Sequence, residues 1–290
     1  MLNMEKTQLP LEFLKLVRFE HALMLAVAVF IAEAIVLGSI PAISSILLLS
    51  WLVPVFSEMG SFALNDYLDM ESDKINKKMT PLVRGAISPK FAYPFSIFAF
   101  LISTLAAFFI NWPAFIIAFL FNLLAIAYNF RLKDMPLLGN AFIGLTMAIP
   151  FIFGNFVVAN ELNTLVLILA ALAFISGLAR EIIKTVQDME GDAKARKART
   201  LPILIGERNS LMIASLLYVI FLPLAIAPFY FGLPQHIVSL GLVGLADLGI
   251  LYILIGILRF PGAETFKTAR NVSLAALFLG LVAYLIAAIY

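Results

Sequence analysis

The sequence predicts an all-α, polytopic membrane protein: about nine transmembrane helices in one bundle around a central cavity, forming a single domain. Three observations carry that prediction. Hydrophobic residues make up 62% of the 290-residue chain and charged residues only 13%, with a mean hydropathy of +1.02. A soluble domain carries about 25% charged residues. The apolar runs recur at close to the ~20 residues that a helix needs to cross a bilayer. Finally, the basic residues sort to one side of the spans those runs define.

Taken in order, the spans are expected at 20–37, 41–64, 92–110, 112–130, 135–157, 164–186, 210–231, 236–258 and 272–290. The residues before the first span include Glu5 and Lys6 and lack a signal-peptide core, so that span is expected to be retained. Short connections, Gly38-Ser39-Ile40 and Asn111-Trp112-Pro113, predict antiparallel hairpins. The long connections, 65–91 and 187–209, carry most of the charge.

Alternation across these spans places all 20 Lys and Arg residues on one side. Lys6, Lys15 and Arg18 precede span one, and Lys74, Lys77, Lys78, Arg84 and Lys90 follow span two. Arg131 and Lys133 follow span four, and Arg180 to Arg208 cluster about the end of span six. Arg259, Lys267 and Arg270 follow span eight. The positive-inside rule then puts the N-terminus and both long connections in the cytoplasm and the C-terminus outside, in the cell membrane. The chain has no cysteine, which excludes disulfides and thiolate metal sites. Only His21 and His236 are available for imidazole chemistry, and nothing in the charge pattern points to nucleic acid.

The informative stretch is Asn65-Asp66-Tyr67-Leu68-Asp69-Met70-Glu71-Ser72-Asp73. On a helix, Asn65, Asp69 and Asp73 fall at i, i+4 and i+8 and share one face. The same row runs back through Ser61, Glu58 and Ser57 and forward to Lys77. The pattern returns as Asp188-Met189-Glu190-Gly191-Asp192, whose face runs back through Lys184 and Arg180 to Ser176. Carboxylates four apart converge on one point and offer hard oxygen ligands suited to Mg²⁺, which takes one or two from a protein and leaves room for phosphate oxygens. The adjoining Lys and Arg residues suit a metal-bridged diphosphate. Two such ledges facing each other across a bundle would clamp it. A surface network of mutually neutralising charges is the bland alternative, and it does not require a repeated motif. A lone acid such as Glu12 or Glu264 reads as a solvated helix cap.

These motifs resemble the UbiA superfamily of intramembrane prenyltransferases. The resemblance extends to Asn76, the segment Pro81-Leu82-Val83-Arg84-Gly85-Ala86-Ile87-Ser88, Tyr128-Asn129-Phe130-Arg131-Leu132-Lys133, Gly139-Asn140 and Arg199-Thr200-Leu201-Pro202. It implies Mg²⁺-dependent transfer of a polyprenyl group from its diphosphate to a lipophilic, anionic acceptor. Asn65, Asp69, Asp73, Asp188 and Asp192 are then the ligands of two Mg²⁺ ions, with the four aspartates catalytic. Lys77, Arg84, Tyr128, Lys133, Lys184 and Lys194 are then the diphosphate-binding residues. Thr80 stands where many members have Arg, which leaves Arg84 as the nearby substitute. Within the superfamily the motif wording is most similar to archaeal digeranylgeranylglyceryl phosphate synthases, implying geranylgeranylglyceryl phosphate as acceptor in ether-lipid synthesis. Arg18-Phe19-Glu20-His21 is also similar to prenyltransferases acting on 4-hydroxybenzoate or related quinone precursors.

Arg18, His21, Glu58 and Asn140 are candidates for the acceptor side. Ser61 and Ser176 are expected to bond their own helix backbones. Asp247 and Glu33 are costly in lipid and are read as buried hydrogen-bonding groups. Asn122, Asn140 and Asn155 are expected to line the cavity or join helices, and Gly154 and Gly177 to be close-packing points. A cation-coupled transporter is the rival class, but it would place its acids near the bilayer midplane rather than at helix ends.

Overall fold

The computed structural model describes residues 9–75, 78–189, 193–194 and 199–290. The order is α1 (Leu9–Leu16), α2 (Phe19–Leu37), α3 (Ser45–Leu68), α4 (Met70–Ile75), α5 (Pro89–Phe108) and α6 (Trp112–Phe130). A 3₁₀ turn (Leu132–Asp134) leads to α7 (Leu138–Val158), α8 (Thr164–Gln187), α9 (Leu201–Ile205), α10 (Glu207–Tyr230), α11 (Ile237–Arg259) and α12 (Ala263–Ile289). Among the described residues nine helices are long and apolar enough to cross a membrane: α2, α3, α5 to α8 and α10 to α12. The protein is all-α and multi-pass. The last helix starts nine residues before the expected 272 because its first two turns carry Glu264, Lys267 and Arg270. Backbone hydrogen bonding continues there after hydropathy has fallen away.

Two compact units form. The first comprises the described residues up to Val27 together with Ala42–Leu132. In it α3 packs on α5 and α6, with the α5–α6 hairpin turned at Asn111, whose side chain accepts from Ala114 N at 2.8 Å. The turn behaves as the sequence predicts. Gly60 lets the α5 backbone approach α3: a Cβ there would lie 3.0 Å from the Ser96 carbonyl. A buried polar network ties the three helices. Ser57 Oγ donates to Asn122 Oδ1 at 2.6 Å, and Asn122 Nδ2 reaches Thr104 Oγ1 at 3.0 Å and Ser103 Oγ at 3.3 Å. Ser103 Oγ in turn donates to the Val53 carbonyl. In a membrane such bonds join helices that the hydrophobic effect alone would not.

The second unit comprises Ala28–Pro41 and Lys133–Tyr290. Here α7 packs on α8, α8 on α10 and α12, and α11 on α10 and α12. Gly154 and Gly177 are close-packing points, as expected. A Cβ on Gly154 would stand 2.7 Å from the Val29 carbonyl, and one on Gly177 2.7 Å from Met147 Sδ. Asn155 is fully buried and shapes the α7–α8 connection, donating to the Glu161 carbonyl and accepting from Asn163 N.

Two features were not anticipated. The helix α1 is too short and too polar for hydropathy to mark. The Gly38-Ser39-Ile40 connection runs on through irregular backbone to the Ser44 cap, so that α3 begins at Ser45, four residues after the expected start.

Candidate active site

In the first unit the acidic stretch is built at the end of α3. The helix stops at Leu68, and Asp69 (φ −88°, ψ 0°) forms the joint to α4. The helical ladder nevertheless survives the joint: Asp69 N donates to the Asn65 carbonyl at 2.9 Å and Asp73 N to the Asp69 carbonyl at 2.7 Å. Asn65, Asp69 and Asp73 therefore keep the one-turn spacing read from the sequence, although on two helices rather than one. Asn65 and Asp69 are half-buried. Asp73 is buried, with Lys78 Nζ 3.7 Å from its carboxylate. Lys77 lies outside the described residues.

The structure adds Asp66, which was not among the expected site residues. It is 3% exposed, and Arg18 Nη2 stands 3.4 Å from its Oδ1. Arg18 joins α1 to α2 with a left-handed backbone (φ 44°), and its guanidinium lies 4.3 Å from the centre of the Phe62 ring. A non-glycine residue in that region marks a constrained joint. His21 meets the same Phe62 ring edge-on. Arg18, His21 and the half-buried Glu58 thus belong to one cluster around α3, with Arg18 acting electrostatically on Glu58 as well as Asp66. The signal available in the sequence was the i, i+4 step from Phe62 to Asp66, one position off the motif face.

Arg84 is bonded to the Met79 carbonyl and to Glu12. Glu12 is not the solvated cap that its sequence context implies. It is 6% exposed, with Lys15 Nζ 2.8 Å from Oε1. The Lys15 hydrogen bond and the Arg84 charge hold its carboxyl below the usual carboxylate range, against the opposing effect of burial. The correction has a simple origin: α1 lays Glu12 under the loop that follows α4, and the loop supplies the base. Ser61 also departs from expectation. Its Oγ accepts from Asn129 Nδ2 on α6 at 3.3 Å. Tyr128 is half-buried near the end of α6.

In the second unit α8 carries the other motif. Asp188 caps the helix, donating its backbone N–H to the Lys184 carbonyl, and is half-buried. Lys184 Nζ stands 3.0 Å from Oε1 of the buried Glu181. Asn140 is buried and donates to Thr185 Oγ1 at 3.2 Å, fixing α7 to α8 rather than standing open. Ser176 is buried with no hydrogen-bond partner for its Oγ, so the expected bond to its own helix is not made. Lys133 is half-buried in the 3₁₀ turn, and Lys194 is exposed. Asp192 lies outside the described residues. Glu33 is fully buried on α2; Asp247 is half-buried on α11, with a buried Oδ1 that has no hydrogen-bond partner among the described residues.

Among the described residues no three His, Asp or Glu side chains gather closely enough to hold a metal by themselves. Mg²⁺ does not need three; it binds through one or two carboxylates and completes its shell with water and substrate phosphate. Asp69 and Asp73, acceptor-only oxygens one turn apart with basic residues alongside, fit that requirement.

The family model described as the UbiA prenyltransferase family matches residues 22–275. The chain is 36% identical to a digeranylgeranylglyceryl phosphate synthase of Archaeoglobus fulgidus over 275 residues, 93% of this chain and 92% of that protein. It is 33% identical to the synthase of the same name from Thermococcus kodakarensis over 96% of this chain and 98% of that one. A solved structure described as giving mechanistic insight into digeranylgeranylglyceryl phosphate synthase in membranes superposes with a TM-score of 0.78 at 28% identity, covering 97% of this chain and 99% of the other. A UbiA homologue from Archaeoglobus fulgidus, bound to GPP and Mg²⁺, shares the fold at a TM-score of 0.67 and 22% identity over 94% of this chain and 99% of its own. Nine apolar helices, the paired acidic motifs and likeness along nearly the whole length lead to one assignment: this chain belongs to the UbiA prenyltransferase family.

Proposed function

We propose that the protein transfers a geranylgeranyl group from its diphosphate to geranylgeranylglyceryl phosphate, in ether-lipid synthesis. The observation that carries this reading is the 36% identity, along 92% of the relative's length, to a synthase named for the product of that reaction. The acceptor hydroxyl forms an ether bond to the allylic carbon. The carbon–diphosphate bond breaks, and the proton leaves with the diphosphate.

Asp69 and Asp73, with Asn65, are assigned to hold Mg²⁺ on the diphosphate from the first motif. Asp188 and Asp192 take the same role from the second, making two ions. Bound there, Mg²⁺ supplies positive charge where the leaving diphosphate accumulates negative charge. Lys77, Tyr128, Lys133, Lys184 and Lys194 are assigned to its remaining oxygens, by charge or hydrogen bond. Arg84 acts through Glu12, holding residues 78–88 to α1. The apolar helices keep water from the cation-like prenyl fragment. The N-terminus and both motifs are assigned to the cytoplasm and the C-terminus to the outside, on the sorting of all 20 basic residues by nine spans.

The test offers geranylgeranyl diphosphate and Mg²⁺ with geranylgeranylglyceryl phosphate and 4-hydroxybenzoate side by side. Ether product from the glycerol phosphate is expected. Prenylation of 4-hydroxybenzoate alone overturns the acceptor assignment.

A further inference from the structure

Two arginines in the second unit are not accounted for by the aspartate motifs. Arg180 on α8 and Arg270 on α12 lie close enough for each guanidinium to feel the other's charge. Arg180 Nε donates to the Arg270 carbonyl at 3.3 Å, and Arg270 Nη1 to Gln187 Oε1 at 3.1 Å. Among the described residues neither makes an ion pair with a carboxylate. The adjacent Glu181 is paired with Lys184 at 3.0 Å. Arg270 Nε is buried with no hydrogen-bond partner among the described residues. Tyr218 on α10 is fully buried and within electrostatic reach of Arg180, with its hydroxyl beside Ser273. Ser273 Oγ donates to the Arg270 carbonyl at 3.0 Å, which ties Tyr218's neighbour to the same cluster.

Like charges held together and a buried donor left unpaired are each unfavourable, and a shared anion relieves both. Guanidinium forks match a phosphate in geometry as well as charge. The Arg180–carbonyl bond uses Nε alone and leaves both Nη groups for a ligand. Gln187 at the edge of the cluster is exposed, so the cluster opens to water. We infer that Arg180, Arg270 and Tyr218 bind the phosphate monoester of the prenyl acceptor. The inference rests on the acceptor reading above and gives that acceptor's headgroup its own residues, separate from those assigned to the diphosphate.

The test is steady-state kinetics of the full chain in bilayers, varying donor and acceptor separately. Arg270→Gln raises KM for geranylgeranylglyceryl phosphate by about tenfold or more, the loss of one charge-assisted hydrogen bond, and leaves the donor KM within about twofold. Geranylgeranylglycerol, which lacks the phosphate, is a poorer substrate for the wild-type protein and is used equally by the variant. A rise in donor KM instead assigns the pair to the diphosphate and overturns the inference, as does an unchanged acceptor KM. If the wild-type protein makes no ether product from the glycerol phosphate, the acceptor reading itself has failed, and this site's occupant falls with it. Tyr218→Phe removes one hydroxyl and serves if Arg270→Gln does not fold: acceptor KM rises several-fold with donor KM unchanged, and no movement in either overturns the inference.

Discussion

Replacing Arg18 by Ala removes the partner of Asp66, which is 3% exposed and 3.4 Å from the guanidinium. Breaking a fully buried ion pair from one side costs about 3–5 kcal/mol, because the remaining charge is left without compensation. The Arg18 side chain is 42% exposed, and the 3.4 Å contact is long for a charge-assisted bond, so about half of that applies. The lost contact with Phe62, 4.3 Å from the guanidinium, adds about 0.5–1 kcal/mol. Arg18→Ala is therefore expected to destabilise the protein by about 2–3.5 kcal/mol. Asp66→Asn in the Arg18→Ala background should recover more than half of this, since no charge then remains buried. The assay is equilibrium unfolding in mixed micelles, run as a double-mutant cycle. Single effects that add to within about 0.5 kcal/mol would refute the reasoning. The cycle also separates two roles for Arg18. A residue that only positions α3 is rescued by the double variant in both stability and turnover. A residue that binds acceptor leaves the acceptor KM raised after stability has returned.

Asp69→Ala and Asp73→Ala should each lower turnover by at least about a hundredfold while the thermal midpoint stays near wild type. EDTA should stop the wild-type reaction and added Mg²⁺ restore it; activity indifferent to chelator would remove the metal from the mechanism. Gly154→Ala should destabilise by about 1–3 kcal/mol, because its Cβ would stand 2.7 Å from the Val29 backbone carbonyl. Gly241→Ala, with nothing within 4 Å, is the matched control and should stay neutral or gain slightly. Glu12 has a folded-state pKa below its unbound value of 4.5, so its contribution is complete above that pH and disappears as pH falls through the lower value. Acid titration of the thermal midpoint should lose that increment in wild type but not in Glu12→Gln, and identical acid profiles would refute the stabilising pairing of Glu12 with Lys15 and Arg84.

The spans were legible because each needs about twenty apolar residues, a demand written directly into composition. Trp112–Phe130 was located to the residue, since Asn111 caps it and Pro113 stands in its first turn. Charged ends were less legible: α12 runs two turns past its apolar part, and α1 lies in a stretch that hydropathy passes over. The motif spacing showed that Asn65, Asp69 and Asp73 would follow one another by single turns. It could not show that α3 stops at Leu68, because a joint at ψ near 0° leaves no mark on residue types. Nor could it show the company of Glu12, Asp66 or Ser61. Their partners, Arg84, Arg18 and Asn129, are 72, 48 and 68 residues away in the chain. Pairings at that separation are decided by how helices stack.

The joint at Asp69 bears on how rigidly the acidic stretch is held. Backbone bonds from Asp69 N to the Asn65 carbonyl and from Asp73 N to the Asp69 carbonyl bridge it, so the spacing of the two acids is braced against α3, a helix anchored in lipid. Changing that spacing means breaking one of these bonds. On the far side of α4, Arg84 adds a second tie by bonding Glu12 and so holding residues 78–88 to α1.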